Sequence, residues 1–502
     1  MIAGGETAGT VNSPRIAVRP RDRGEAPRLV RRGATDRLVG VSVRDGVASR
    51  VAGPDPGVIM VPAEFHAAVA LAVFLALFVA LVLDVIDLAV GGMLAVAAVL
   101  AAGILDPSDL RSGASAAGPT LCLLFGGMVL VRILTPTGLF DRLGYLMVRF
   151  AKGSGARLMI AFALATVPTC AVLPNATVIL LFAPILLRAC GRMGLDPVPP
   201  LVFLVAIANS AGLLTLVGDP ATFIVGSGIG MSFDAYLHGV APFGVLAMGA
   251  LFLASLVVLR RTWTARGEAM AEEAPPPLQR PVYIVTALAI FALQVVLFVW
   301  GDAEGISPPE AAFICASLGL LAIYGLRVEA PAAVLVDVDW RTLIFIATMF
   351  MMVQALIHTG WLRGGSALMI EVFGTRTALA AIAMIWVVGL LSMALPNVPV
   401  VIGLLLIVKG YLVGIEVVPE EATGNAFTAW PPHLIPVFVA MMFGATLGGN
   451  ATVIGAAGNV VAAGIAAKAG YPLGFMRFLR IGLPLTMAQL LAATLCILWM
   501  VR

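Results

Sequence analysis

The chain has 502 residues, of which 60% are hydrophobic and only 12% are charged, with a formal net charge of +3. A soluble protein of this length would carry about twice that charged fraction, so the composition excludes an ordinary soluble enzyme. Repeated long uncharged stretches predict a multi-pass helical membrane protein, surrounded by lipid. The basic residues fall in short loops between these stretches, which argues against a nucleic-acid partner.

Residues 1–57 differ from the rest of the chain because they are rich in Arg, Gly, Pro and Asp and show no apolar period. This composition predicts a disordered basic tail. The tail lacks the apolar core of a signal peptide. Met60 stands directly before the first hydrophobic segment and is an alternative start of the protein; otherwise the tail is predicted to be a cytoplasmic arm.

The remaining chain is predicted to hold about eleven transmembrane helices and several partial ones. The polar stretch "RRTWTARGEAMAEEAPPPLQR" is charged and ends in a proline-rich segment, which is typical of an aqueous linker. It divides the chain into an N-terminal half (60–259), a linker (260–281) and a C-terminal half (282–502). Five cysteines without CxxC or Cys/His spacing predict packing residues, with neither a disulfide framework nor a metal site.

The two halves repeat the same motifs in the same order. "LPN" occurs at 173–175 and 395–397, and "TG" precedes it by the same spacing at 137–138 and 359–360. Downstream, "GLLTLVGDPATFIVG" (212–226) aligns with "GNATVIGAAGNVVAA" (449–463). These matches predict an internal duplication, with one repeat in each half.

The first LPN motif interrupts an uncharged run from Leu158 to Leu187. One helix over this run would be about 45 Å long, whereas the hydrocarbon core is about 30 Å thick. Proline disfavours helix in the residue before it, and Asn175 is then expected to cap the next helix. Basic residues on both sides predict that both ends face the cytoplasm, forming a re-entrant hairpin; the second LPN run is predicted to enter from the opposite face. An ordinary proline kink is the alternative.

The glycine-rich segments predict a second broken helix in each repeat, with Gly218 and Gly455 allowing unwound backbone. Close helix packing through small residues is the alternative. A helix N-terminus at membrane depth suits an anion or a polar ligand, and free carbonyl groups suit a cation. Asp219 is the clearest ionisable candidate, although it could instead cap a helix. The predicted side-chain oxygens come from Thr215, Thr222, Asn450, Thr452 and Asn459.

The strings "NATVILLFAPILLRACGRMGLDPVPP", "TLVGDPATFIVG" and "LGGNATVIGAAGNVVAAGIAAKAGYPLGFMRFLRIGLP" resemble the arsenite-permease branch of the ion transporter superfamily. That branch includes NhaD-type sodium/proton antiporters and the melanosomal P protein, with the divalent anion/sodium symporters as distant relatives. The resemblance covers about residues 65–502. It implies two inverted repeats, each with a re-entrant hairpin and a broken helix, and elevator-type alternating access.

The resemblance also implies a substrate site between the hairpin tips at Asn175 and Asn397. Thr177 follows the first tip, and Gly218 and Gly455 would face the tips. Both tips read Pro-Asn, where many relatives have Asp-Asn and the symporters have Ser-Asn-Thr. The missing acid leaves Asp219 as the leading candidate for a charge-changing group.

These observations predict a secondary transporter of a small inorganic ion or oxyanion, with arsenite or another metalloid as the leading substrate. A sodium/proton antiporter and a citrate-like dicarboxylate or tricarboxylate symporter are the alternatives; a channel or a non-transporting scaffold is a different class. No protease motif supports an enzyme. No cofactor is predicted beyond a coupling ion, H⁺ or Na⁺. A pump would need a separate ATPase subunit, because no ATP-binding motif occurs, and the family suggests a homodimer.

Overall fold

The computed structural model describes residues 62–82, 85–267, 275–424 and 427–502, which form helices joined by turns and loops. Eleven of these helices are long and apolar enough to cross a bilayer. The predicted fold class, an all-α multi-pass membrane protein, is therefore confirmed. The predicted tail at 1–57, the alternative start at Met60 and residues 268–274 of the predicted linker lie outside the described residues.

The helices follow one another in four groups. Two helices come first, α1 (His66–Val82) and α2 (Leu88–Ala101). The first repeat with its last helix comprises α3 (Pro107–Leu134), α4 (Leu139–Ala151), α5 (Gly155–Cys170), α6 (Asn175–Arg192), α7 (Val198–Ala211), α8 (Pro220–Gly228), α9 (Phe233–Gly239) and α10 (Ala241–Val258). The connection holds α11 (Arg260–Thr264), α12 (Pro281–Trp300), α13 (Pro308–Gly325) and α14 (Pro331–Val336). The second repeat comprises α15 (Trp340–His358), α16 (Trp361–Phe373), α17 (Thr377–Ala394), α18 (Asn397–Gly414), α19 (Ile435–Gly448), α20 (Ala457–Lys468) and α21 (Phe475–Met500).

The two repeats have the same order of elements. A long helix, α3 or α15, ends at the TG motif, whose glycine is left-handed in both copies (Gly138, φ 75°; Gly360, φ 78°). The left-handed backbone conformation favours glycine, which explains why the motif has a glycine at this turn. A shorter helix, a two-helix hairpin, a helix broken in the middle and a final long helix then follow in both repeats.

The repeats run in opposite directions, as the contacts between α3 and α15 show. Asp109 at the start of α3 lies 2.6 Å from His358 at the end of α15. At the other end, Arg132 of α3 lies 2.6 Å from Glu329 and 2.6 Å from Asp337, which both precede α15. The two helices are therefore antiparallel, and the repeats are inverted.

Each hairpin begins and ends at the same face of the molecule. In the first repeat, Gly155 at the start of α5 donates to Ala265 (3.0 Å), while Met193 after α6 packs against Gly267, two residues further along. In the second repeat, the Tyr411 hydroxyl near the end of α18 donates to the Gly374 carbonyl before α17 (2.9 Å). Both LPN runs are thus re-entrant hairpins, and neither is a kinked span.

Basic residues surround the base of the first hairpin. The helix ends and turns at its base carry many basic residues: Arg149, Lys152, Arg157, Arg188, Arg192, Arg260, Arg261 and Arg266. Cytoplasmic loops carry an excess of Lys and Arg, which is the basis of the prediction that this face is cytoplasmic; the orientation stays a prediction. Acidic residues follow the second hairpin (Glu416, Glu420 and Glu421), which opens on the opposite face.

The broken helices form the centre of the molecule. Every residue of α7 from Leu201 to Ala211 is buried, and so is every residue of α19 from Pro436 to Gly448. The α19 backbone lies directly on α17 because glycines meet there: a Cβ on Gly448 would lie 2.8 Å from the Gly389 Cα. Small residues at such crossings allow the close backbone approach on which helix association in a membrane depends.

Candidate functional site

The two LPN motifs form the hairpin tips, where Asn175 is buried and Asn397 is half-buried. Pro174 (ψ 129°) and Pro396 (ψ 136°) are extended, and the next helix begins at Asn175 and at Asn397. The predicted capping role of Asn175 needs correction, because Asn175 is itself the first helical residue. Its Oδ1 accepts only from the backbone N–H of the adjacent Ala176 (2.7 Å).

In each repeat, a threonine lies where the broken helix (α7–α8 or α19–α20) is interrupted and bonds that segment to the hairpin. Thr215 and Thr452 are both extended, with φ −140° and −132°. The Thr452 hydroxyl donates to the Met393 carbonyl (2.5 Å), and the Thr215 hydroxyl donates to the Ala171 carbonyl. Each acceptor lies four residues before the tip asparagine, so each threonine ties a broken helix to the hairpin of its own repeat. These two predicted site residues therefore act as clamps in this structure.

Gly218 and Gly455 are buried inside the breaks. A Cβ on Gly218 would lie 2.9 Å from the Gly212 Cα, and one on Gly455 would lie 2.8 Å from the Gly449 Cα. The same Cβ atoms would lie 3.1 Å from the Cys170 carbonyl oxygen and 2.9 Å from the Ser392 carbonyl oxygen, each five residues before a tip asparagine. The glycines therefore let the chain fold back on itself against the hairpin of its own repeat, and their role in a substrate site stays a prediction. Thr177 is half-buried in the first turn of α6, and its hydroxyl has no hydrogen-bond partner among the described residues.

Asn175, Asn209, Asn450 and Asn459 form a first polar cluster, all of them buried. The Asn175 Nδ2 donates to the Asn209 Oδ1 (2.8 Å). The Asn209 Nδ2 then donates to the Asn450 Oδ1 and to the Asn459 Oδ1, both at 2.9 Å. Hairpin tip 1 is thereby connected to the broken helix of the opposite repeat.

Asp219, Thr222, Asn397 and Thr446 form a second polar cluster. The Asp219 Oδ2 accepts from the Thr446 hydroxyl (3.2 Å), and its Oδ1 faces the Asn397 Nδ2 (3.5 Å). Asp219 also caps α8, accepting from the backbone N–H groups of Ala221 (3.0 Å) and Thr222 (3.4 Å). Hairpin tip 2 therefore also meets the broken helix of the opposite repeat.

The clusters are related by the internal duplication but differ in charge. Asn209 and Thr446 both lie three residues before the glycine that begins a break. Asn459 and Thr222 are likewise equivalent, as the sequence alignment predicts. Asp219 corresponds to Ala456, so one cluster has a carboxylate and the other has none. The two clusters are therefore equivalent by descent, yet only the second contains a group that can carry a negative charge.

Helix N-termini supply the other electrostatic feature of the site. The α20 N-terminus approaches the α6 N-terminus, since a Cβ on Gly458 would lie 3.8 Å from the Ala176 Cα. The residues that precede α6, α18 and α20 make no side-chain cap, although the Asn175 Oδ1 accepts from the Ala176 N–H at the start of α6. Among the described residues, Lys409 is the only buried basic side chain; it lies twelve residues beyond Asn397 and donates to the Gly424 carbonyl (2.9 Å). Positive potential at the clusters thus comes from helix ends.

The sequence missed Asn209, Ser210, Thr446 and Gln489, each buried and bonded to a predicted site residue. Asn209 and Thr446 were detectable by extending the alignment of the broken helices three residues upstream. Ser210 and Gln489 carry no repeat signal, since Leu447 is the counterpart of Ser210 and Gln489 lies on the final helix.

The fold and the paired clusters define a multi-pass membrane transporter. The model of the family "CitMHS: Citrate transporter" matches residues 78–429. The chain belongs to this citrate transporter family of the ion transporter superfamily. The assignment favours the prediction that the protein is not an enzyme.

Several known proteins resemble the chain. "Uncharacterized transporter slr0753" of Synechocystis is 42% identical, over 76% of this chain and 86% of that protein. "Uncharacterized transporter Rv2684" of Mycobacterium tuberculosis is 28% identical, over 86% and 98%. The human P protein is 26% identical, over 73% of this chain and 51% of its own length. The YdaH transporter of Alcanivorax borkumensis shares the fold alone, with 14% identity and a TM-score of 0.50 over 79% of this chain and 90% of that one.

Proposed function

We propose that the protein is a secondary active transporter of a small polycarboxylate anion of the citrate class. The observation that carries the proposal is the meeting of helix N-termini whose preceding residue provides no side-chain cap with amide side chains, with no basic side chain in either cluster. Each N-terminus is equivalent to about half a positive charge and stabilises an anion by ~0.3–2 kcal/mol. The family assignment supports the same substrate class.

Asp219 is the proposed coupling group. It is the only buried acidic residue in either cluster, and its partners are hydroxyl and amide groups with no basic side chain among them. A carboxylate with oxygen-bearing neighbours suits H⁺ or Na⁺. Binding of that ion would neutralise Asp219 and reduce its repulsion of an anionic substrate, which couples the two movements.

Alternating access is proposed to follow the elevator type. The hairpins and broken helices of both repeats (α5–α8 and α17–α20) would move together as the substrate-carrying unit. The antiparallel pair α3 and α15, held by ion pairs at both ends, would remain in place with α12 and α13. Homodimer assembly, which the family resemblance suggests, and any separate ATPase subunit stay predictions.

The substrate proposal differs from the leading expectation of the sequence analysis. Neither the family match nor the relatives favour the arsenite-permease or NhaD branches in particular. Arsenite efflux and sodium/proton exchange therefore serve as alternatives in the test.

The test is uptake into proteoliposomes that contain the purified protein, with imposed proton or sodium gradients. Citrate, succinate, sulfate, arsenite and sodium are compared in parallel. We expect saturable, gradient-driven citrate or succinate uptake, which Asn175→Ala and Asn397→Ala each abolish while the protein still purifies as a folded species. Transport of arsenite or sodium, with no polycarboxylate uptake, would refute the proposal.

A further inference from the structure

Five buried carboxamides form one connected chain from hairpin tip 1 to the last helix of the second repeat. They belong to Asn175, Asn209, Asn450, Asn459 and Gln489. A carboxamide has one end that only donates and one that only accepts, so fixing one member fixes its neighbour. The orientation of every carboxamide in this hydrogen-bonded series is therefore fixed at the points where a member bonds to a group whose role as acceptor is known.

The first such anchor is at Asn459. Its Nδ2 donates to two backbone carbonyls, those of Gly449 (2.7 Å) and Thr452 (2.6 Å). Because carbonyls cannot donate, the amide group must face them, and the Asn459 Oδ1 must face Asn209. Asn209 consequently presents its own NH₂ group to Asn459 and its Oδ1 to the hairpin tip.

The second anchor, at Ser210 and Gln489, gives the same answer independently. Ser210 donates its only proton to the Ala206 carbonyl (2.6 Å), so its oxygen accepts from its other neighbours. The Gln489 Nε2 donates to that oxygen (2.7 Å) and to the Ala247 carbonyl (3.4 Å), which leaves its Oε1 to accept from Asn450 (3.0 Å).

Both anchors therefore orient Asn209 with its oxygen toward Asn175, and Asn175 with its NH₂ group toward Asn209. Every amide N–H of Asn209, Asn450, Asn459 and Gln489 then has an acceptor. Asn175 uses one of its two N–H groups, and the second has no acceptor among the described residues. The N–H group that has no partner in this series of carboxamides is thus the second N–H of Asn175, at hairpin tip 1.

The resemblance already implies that the substrate binds at the hairpin tips. We propose that Gln489 is a positioning residue: through Asn450 and Asn209 it directs the free N–H of Asn175 toward an anionic oxygen of the substrate. The inference rests on the proposed function and extends it. It states which hairpin receives the anion and which residues orient the donor group there. The carboxylate-bearing second cluster is left for the coupling ion.

The decisive variant is Asn175→Asp, which keeps the side-chain volume but leaves only acceptors at neutral pH. Asn175→Ser is its partner, because serine is smaller but retains a donor. We expect Asn175→Asp to lower Vmax/KM for the anion about tenfold or more below Asn175→Ser, since a donor is replaced by a repelling charge. The ratio of Asn175→Asp to wild type should recover as the pH falls, because a protonated carboxyl group donates again.

Gln489→Met tests the positioning role. We expect KM to rise about threefold to tenfold with Vmax little changed, since a misoriented tip loses binding to the ground state and transition state alike. Gln294→Met is the matched control: Gln294 is also buried, lies on α12 away from both clusters, and should leave KM unchanged. If Asn175→Asp fails to fold, this pair still decides the question.

Equal efficiency of Asn175→Asp and Asn175→Ser at neutral pH would overturn the inference, as would identical KM values for Gln489→Met and Gln294→Met. Wild-type uptake of citrate or succinate tests the proposed function separately. The variant ratios are read with whichever anion the wild type moves, sulfate included, so the two ideas fail in distinguishable ways.

Discussion

The sharpest prediction concerns Asp219, which combines two roles that one substitution can separate. As a cap it accepts from the backbone N–H groups of Ala221 and Thr222, and as a site residue it accepts from the Thr446 hydroxyl. Loss of an N-cap costs about 0.5–2 kcal/mol. A hydrogen bond to a charged group contributes about 1.5–3 kcal/mol. Asp219→Ala should therefore destabilise the protein by about 2–5 kcal/mol.

Asp219→Asn should be far milder, by about 1 kcal/mol, because the amide oxygen still accepts the capping hydrogen bonds. It removes the only group in either cluster that can change charge. We therefore expect Asp219→Asn to insert and fold, yet to show a flat dependence of anion uptake on pH and no acceleration by an imposed proton gradient. The assay is proteoliposome uptake from mildly acidic to mildly alkaline pH, beside thermal unfolding in detergent.

Asp106→Asn is the matched control, because Asp106 caps α3 through the backbone N–H groups of Ser108 and Asp109. The Ser108 hydroxyl, followed by the backbone groups of Asp109 and Ser108, lowers the pKa of Asp106 from 3.8. Its capping contribution is thus present above its unfolded pKa and is lost only as the pH falls through the lowered folded value. Asp106→Asn should keep the wild-type pH profile. A wild-type profile in Asp219→Asn would reduce Asp219 to a cap and refute the coupling argument.

Three further substitutions test the packing that supports the site, each by thermal unfolding and uptake. Thr452→Val should cost about 1 kcal/mol and reduce uptake, because the break loses its bond to Met393; unchanged unfolding and uptake would contradict the clamp. Gly448→Ala should lower the free energy of unfolding by about 1–3 kcal/mol, since the new methyl group meets the Gly389 backbone. An unchanged melting temperature would refute the close contact of α19 with α17. Arg132→Met should lower the free energy of unfolding by about 1 kcal/mol or less, because the ion pairs of Arg132 are partly exposed. Uptake by this variant should be retained.

The sequence by itself determined the class, the duplication and the breaks, because these depend on local properties of the chain. The length of an uncharged run limits how it can cross a bilayer, and a proline ends the helix before it. The breaks before Asn175 and Asn397 follow from these facts, and the glycine-rich segments indicated the interrupted helices near Gly218 and Gly455.

Only the tertiary structure decided what each polar residue touches. Asn209 lies 241 and 250 positions from its partners Asn450 and Asn459, and only its alignment with Thr446 of the other repeat distinguishes it within an apolar helix. Thr215 and Thr452, predicted as ligands, are occupied by backbone carbonyls for the same reason. In a membrane, a buried amide or hydroxyl must find a partner within the protein. Which partner it finds depends on how the inverted repeats pack, and that packing decides which groups remain for a substrate.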